Sequence, residues 1–168
     1  MEAALAAAVI LESHGYPPLV LSLESIDLLD HVLFVYRRHG RWGSIARSRD
    51  PGLHGRRPVF RSIRDLTQSY VEPYIDDTGR ILAYAVADLR VLDPYDWRLS
   101  DRNVWKAERL LQDILHQPLR SSDRRIDRTR RRFRAFVTRY PGRKPLYFTG
   151  RETWSEIPEE FRQRRESG

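Results

Sequence analysis

The chain contains no cysteine. That absence excludes disulfides, thiolate metal sites and a thiol nucleophile together. It agrees with a reducing compartment, and the expected location is the cytoplasm. Long apolar runs are lacking too. The longest, Ala3 to Leu11, has 9 residues, about half of the roughly 20 that a membrane-spanning helix needs. Glu2 stands where a signal peptide would carry its basic start, and Glu12-Ser13-His14-Gly15 offers no small-residue cleavage site. No membrane partner is expected, and the run reads as a buried helix.

What is present is length for a single domain with some appendage, and charge placed in one region. The 168 residues are 40% hydrophobic, enough for one core, with a formal net charge of +7. Residues 120–151 hold 12 basic and 2 acidic side chains, whereas residues 1–119 hold 15 basic and 16 acidic. All the excess positive charge therefore sits late. The expected division is a core over residues 1–118 and a basic helical extension over residues 119–168.

Along the core, Glu2 to His14 is Ala- and Leu-rich and ends at Gly15, so it reads as a helix packed on both sides. Leu19 to Leu23 reads as a short buried strand. Val32–Tyr36 and Trp42–Ala46 form a hairpin across Arg37 to Arg41. Ser48 to Pro58 reads as an exposed loop. Ser62 can cap a helix reaching Tyr74, Ile81 to Val86 reads as a strand, and Ser100 can cap a helix to about Leu115. In the extension, Asp123 to Arg139 predicts a helix with a thin apolar stripe of Ile126, Phe133, Phe136 and Val137, stopped by Pro141-Gly142. The last residues, 144–168, hold aromatics without regular period.

The order of pieces is a helix ending in Gly15-Tyr16-Pro17, the strand Leu19–Leu23, a strand headed by His31, and a strand opened by Trp42. This order resembles the transglutaminase-like superfamily, the papain-like cysteine-enzyme fold, and is most similar to a bacterial branch of it. In that branch the hairpin runs on into a segment like RPVFRSIRDLTQSYVEPY, residues 57–74. The resemblance covers roughly residues 2–118. It implies acyl transfer through a thioester, with a Cys at the start of the first helix, a His at the strand head as base, and an Asp on the next strand to orient the imidazole. Of these, only His31 is matched. Ala46 stands at the acid's position and cannot orient an imidazole. The nucleophile falls at or just before Met1, whose thioether cannot attack a carbonyl. Either the chain starts inside the domain, or it is a non-catalytic descendant; in either case the resembled family's active site is absent as written.

The candidate site residues follow. His31 is a vestigial base, or a strand-end histidine bonded to a backbone carbonyl. Asp30 and Asp50 could substitute for the missing acid. Arg47, Arg49, Arg56 and Arg57, with Arg61 and Arg64, would attract an anionic partner at the mouth of the hairpin loop, or else form a solvated surface. Arg124, Arg125, Arg128, Arg130, Arg131, Arg132 and Arg134 would project charge around the late helix and take a polyanion such as nucleic acid non-specifically. No two histidines stand at i, i+4, so neither metal nor cofactor is expected.

The sequence therefore predicts an α+β fold: an antiparallel sheet of three to five strands on an N-terminal helix, with a basic helical extension. The expected role is a non-catalytic binding or structural module. A protein partner or a second copy would meet the N-terminal helix. The competing expectations are a polyanion-binding protein acting through residues 120–151, and a truncated member of an acyl-transfer family.

Overall fold

A computed structural model describes residues 1–100 and 104–155. Six strands form one antiparallel sheet: β1 Leu19–Ser25, β2 His31–Arg38, β3 Arg41–Ile45, β4 Arg56–Phe60, β5 Ile81–Asp88 and β6 Gln117–Pro118, in the order β4-β3-β2-β1-β5-β6. Four α-helices accompany them: α1 Glu2–Glu12, α2 Ile63–Tyr74, α3 Trp105–Asp113 and α4 Asp123–Arg139. The architecture is α+β, as the sequence predicts, with one more strand than the upper expectation.

The helices cover both faces of the sheet. Leu21 and Leu23 of β1, with Leu33 and Val35 of β2, pack against Leu66, Tyr70 and Val71 of α2 and Ile126 of α4. Val20 and Phe34 point the other way, against Ala4, Leu5, Ala7 and Ala8 of α1 and Ala107 and Leu111 of α3. A strand buried on both faces reads as a near-continuous apolar run, and Leu19 to Leu23 of β1 is one apart from Ser22. Buried Ser22 Oγ lies 3.2 Å from His116 Nε2.

Two expectations are corrected here. The first helix is packed on one side only, for Val9 and Ile10 are exposed. Its near-uniform apolarity gave no face to choose, and four small or medium side chains suffice to seat it on β1 and β2. The stretch from Ser48 to Pro58 is not an exposed loop. Pro51–Leu53 make a 3-10 turn whose Pro51 and Gly52 are buried, His54 is buried, and β4 begins at Arg56. Pro58 is tolerated because β4 is an edge strand.

The hairpin turns more tightly than its polar run suggested. His39 (φ 48°) and Gly40 (φ 74°) alone make the turn, both left-handed, the two-residue type that matches strand twist. Gly43 is required for a different reason: a Cβ there would lie 2.8 Å from the Tyr36 ring and 2.9 Å from Pro58 N.

The predicted cap Ser62 forms: its Oγ accepts from Asp65 N at 3.1 Å at the start of α2. Ser122, which the sequence reading did not single out, caps α4, its Oγ accepting from Arg125 N at 3.3 Å. The third predicted helix is shorter than expected: α3 starts at Trp105 with Val104 as its cap, and residues 101–103, next to the predicted cap Ser100, lie outside the described residues. α4 spans the residues its stripe predicts and lies against the α2 face through buried Ile126 and Thr129. Polar ties surround that seam: Arg125 to Glu72 (3.0 Å), Arg80 to Asp123 (2.9 Å), Arg134 to Asp77 (2.6 Å), and Arg130 to the carbonyls of Asp76 (2.9 Å) and Gly79 (3.4 Å). If α4 shares the core, Ile126→Ala should cost about 2–5 kcal/mol of unfolding free energy in urea melts, the range for a buried aliphatic truncation. A change under about 0.5 kcal/mol would mean that α4 is only laid on the surface.

Candidate functional site

One cavity of about 480 Å³ opens on the α2 side of the sheet. The β1–β2 turn supplies Asp27, Leu29 and Asp30, and the head of β2 supplies His31. The segment after β3 supplies Ser48, Asp50 and Leu53, and the end of α2 supplies Tyr74. Phe133 and Val137 of α4, with Lys144 and Phe148 beyond it, close the opposite wall. The fold thus gathers His31, Asp30 and Asp50, the three residues singled out for acid–base work, around one space.

Gathered is not coupled. His31 Nε2 lies 2.9 Å from the carbonyl of Leu53. A carbonyl only accepts, so that nitrogen carries the proton and Nδ1 holds the lone pair. Burial pushes the imidazole pKa down to about 4; the Leu53 carbonyl opposes this, and positive charge at Met1, Arg56 and His54 adds to it. At neutral pH the ring is therefore uncharged. Asp30 Oδ1 accepts from Ser25 N at 2.9 Å and closes the β1–β2 turn. Asp50 pairs with Lys144 Nζ at 2.7 Å. Neither carboxylate holds the imidazole.

The hydroxyls of the cavity are committed as well. Ser48 Oγ accepts from Asp50 N at 3.1 Å. Tyr74 donates to the Leu29 carbonyl, and burial, with Asp27, Asp30 and Asp76 nearby, pushes its pKa up to about 12. No hydroxyl lining the cavity is hydrogen-bonded to His31. The base–nucleophile pair that covalent acyl transfer requires is missing from this geometry.

The expected anion-attracting loop divides. Arg47, Arg49 and Arg57 are exposed, and Arg57 donates to the Glu152 carbonyl. Arg56 is the correction: it is 0% exposed and cannot meet a ligand from solvent. Its Nη2 donates to Gly52 O (2.7 Å), its Nη1 to His54 O (2.7 Å), and its Nε to Ser69 Oγ (3.1 Å), with longer bonds to Gly55 O and Ser69 O (both 3.3 Å). The guanidinium lies 3.9 Å from the Tyr70 ring centroid and 5.1 Å from that of Trp154. The carbonyls it grips flank Leu53, so Arg56 sets where the imidazole's acceptor stands.

The basic helix divides too, which corrects the expectation of charge all round it. Arg125 is tied to Glu72 in the last turn of α2, Arg130 and Arg134 to the acidic α2–β5 connection, and Arg132 stacks 4.0 Å from the Tyr147 ring. Arg124, Arg128 and Arg131 remain exposed, at i, i+4 and i+7 on one face. Among the described residues no three His, Cys, Asp or Glu side chains gather to hold a metal, and no helix is long and apolar enough to cross a membrane.

Sequence reasoning missed Tyr70, whose hydroxyl sits 2.7 Å from Ser44 Oγ and donates to His54 O at 2.9 Å; it missed Lys144 and Phe148 as walls of the site and Trp154 as a ring beside Arg56. The aromatics in residues 147–154 were the available signal, but they have no period. No family model matches the chain, and no curated protein matches it.

The His31 environment gives a pH test. Its folded pKa lies below its unfolded value near 6.5, so the unfolded chain binds the extra proton between the two. The stability from keeping the ring neutral is complete above about pH 6.5 and lost as pH falls toward 4. We expect the parent to lose roughly 2–3 kcal/mol over that window beyond any loss in His31→Gln, measured by denaturant titration at each pH. Parallel pH profiles for the two proteins would mean that the imidazole is not held neutral.

Proposed function

We propose that this chain is a binding module with transglutaminase-like architecture, non-catalytic in this form, and that its ligand site is the cavity beside His31. One observation carries the proposal. The imidazole is spent on the Leu53 carbonyl while the two nearby acids are spent on Ser25 N and Lys144. Support for the architecture comes from the order of elements, helix, strand, His-headed strand and Trp-bearing strand. It comes also from the start of α1, near enough to His31 for the Met1 amino charge to act on the ring.

A histidine held neutral beside committed carboxylates is a poor general base at neutral pH and a good hydrogen-bond acceptor. The rest of the lining, Leu53, Phe133, Val137 and Phe148, gives apolar area to a bound group. Such a site retains affinity after the means of bond cleavage are gone. The full chain, incubated with a glutamine-containing peptide and a primary amine, is expected to release no ammonia and incorporate no amine. Ammonia release that vanishes in His31→Ala would overturn the proposal.

A second function rests on α4, whose outward face carries Arg124, Arg128 and Arg131. Three arginines on one helical face can neutralise about three phosphates, giving a log–log salt slope of roughly −2.7 on duplex DNA. Binding to mixed-sequence DNA should then weaken roughly 40-fold between about 50 and 200 mM salt and be lost in the triple Arg→Gln variant at these positions. Unchanged binding in that variant would exclude this face.

A further inference from the structure

The β1–β2 connection turns three of its backbone amides and its Asp27 side chain inward. Ile26 N donates to Arg80 O (3.1 Å), Leu28 N to Ser25 O (3.1 Å) and Leu29 N to Asp27 Oδ1 (3.3 Å), while Asp27 Oδ1 also accepts from Ser25 Oγ (2.6 Å). With its polar groups turned in, the connection presents its apolar side chains to solvent: Ile26 is 55% exposed, Leu28 86% and Leu29 70%. Leu28 sits at φ 61°, left-handed backbone that asparagine or glycine adopts far more readily than leucine. A leucine held there and left in water does nothing for the core. The same turn forms the rim of the cavity through Asp27, Leu29 and Asp30.

The charge on the turn's side of the cavity is negative, whereas the opposite wall carries Arg143, beside the Tyr140 ring, and Lys144. Asp27 and Asp30 flank the exposed Leu28-Leu29 pair in sequence, and Asp76 joins them at the cavity. All three act on the Tyr74 hydroxyl, so they converge on one end of the space. Their side chains accept from backbone amides and hydroxyls, and no cation pairs with any of the three among the described residues. Arg130, the nearest helix arginine in this seam, bonds Asp76 through its backbone carbonyl. The lining Lys144 is taken by Asp50.

We infer that the Ile26–Asp30 turn and the acidic end of the adjoining cavity form a docking surface for a peptide segment that carries arginine or lysine beside apolar residues. The inference rests on the binding-module reading above and names the partner's chemistry. Apolar side chains of the segment would cover Ile26, Leu28 and Leu29. Its cation would enter between Asp27, Asp30 and Asp76, where the field is already negative. Charge complementarity decides against the alternative of a lipid surface, because carboxylates interleaved with the leucines repel anionic headgroups. The bonded, strained turn is preordered, so little ordering cost falls on binding.

The test uses the full chain and three probes: a short fluorescent peptide of leucine and arginine, its counterpart with glutamate in place of arginine, and phosphatidylserine vesicles. Fluorescence anisotropy should show binding of the basic peptide at least tenfold tighter than of the acidic one. Leu28→Asn should weaken the basic peptide at least tenfold while the melting temperature holds or rises, because asparagine tolerates the left-handed backbone. Leu29→Ser should weaken it likewise. Equal binding of the two peptides, or an unaltered affinity in both variants, would overturn the inference. Vesicle binding that depends on Leu28 would replace the peptide with a membrane, and a Leu28-dependent dimer in sedimentation would replace it with a second copy. Failure here, with no ammonia release from the glutamine peptide, leaves the non-catalytic reading standing and removes only this partner.

Discussion

Arg56 brings a full positive charge into the interior with no carboxylate to meet it among the described residues. Desolvating a guanidinium without compensation costs many kcal/mol, so the surroundings must answer with dipoles and π faces. They do so from four places at once. Gly52, His54 and Gly55 offer carbonyls from the turn before β4, and Ser69 offers both its hydroxyl and its carbonyl from α2. Tyr70 lies under the cation, and Trp154 approaches from the far end of the described chain. The single bridge between Arg56 and Trp154 pulls the same segment against β4. Three stretches distant in sequence are thereby fixed to one side chain. Removing it would leave several buried carbonyls without donors, each costing about 1–3 kcal/mol.

The state of the candidate site follows from that constraint. The carbonyls that Arg56 grips lie on either side of Leu53, whose own carbonyl is left to receive the proton of His31. Burial keeps the imidazole neutral, and the cation of Arg56 adds a smaller push in the same direction. The imidazole thus donates to a backbone carbonyl, and neither Asp30 nor Asp50 reaches it, because Ser25 N and Lys144 hold those carboxylates.

What the sequence disclosed and what it hid divide along a physical line. Elements whose stability is local were legible. α4 has a Ser cap, an apolar stripe at helical period and a Pro-Gly stop, and its bounds emerged as read; α2 has Ser62, and the hairpin has its Gly. Features whose stability is made by distant partners were not. Arg56 in a Pro- and Gly-bearing stretch reads as solvated, because nothing within ten residues shows the cage of Ser69, Tyr70 and Trp154. α1 is apolar at positions that turn out to be exposed, and only the sheet's choice of Ala4, Leu5, Ala7 and Ala8 decides its face. β6 is two residues long, too short for any pattern. His31, Asp30 and Asp50 were picked for their chemistry and do meet at one cavity. That they meet without bonding to each other depends on Ser25 N, Leu53 O and Lys144, none of which carries a signal in sequence.

The basic segment teaches the same distinction for charge. Counted in sequence, the arginines of α4 are alike; in place, they are not. Glu72 at the end of α2 takes up Arg125, Asp76 and Asp77 of the α2–β5 connection take up Arg130 and Arg134 by a carbonyl contact and an ion pair, and the Tyr147 ring takes Arg132. A helix that must lie on an acidic edge can use forked cations as its adhesive, since each guanidinium satisfies carboxylates and carbonyls with the same planar group. The cations turned away from that edge are Arg124, Arg128 and Arg131, with Arg139 at the helix end beside the Tyr140 ring. The same period that buries Ile126 therefore selects which charges are structural and which face outward. Any polyanion must be met by the outward cations, while the acidic end of the cavity keeps its own negative field, because Arg130 spends itself on backbone oxygen and Arg134 on Asp77, outside the lining.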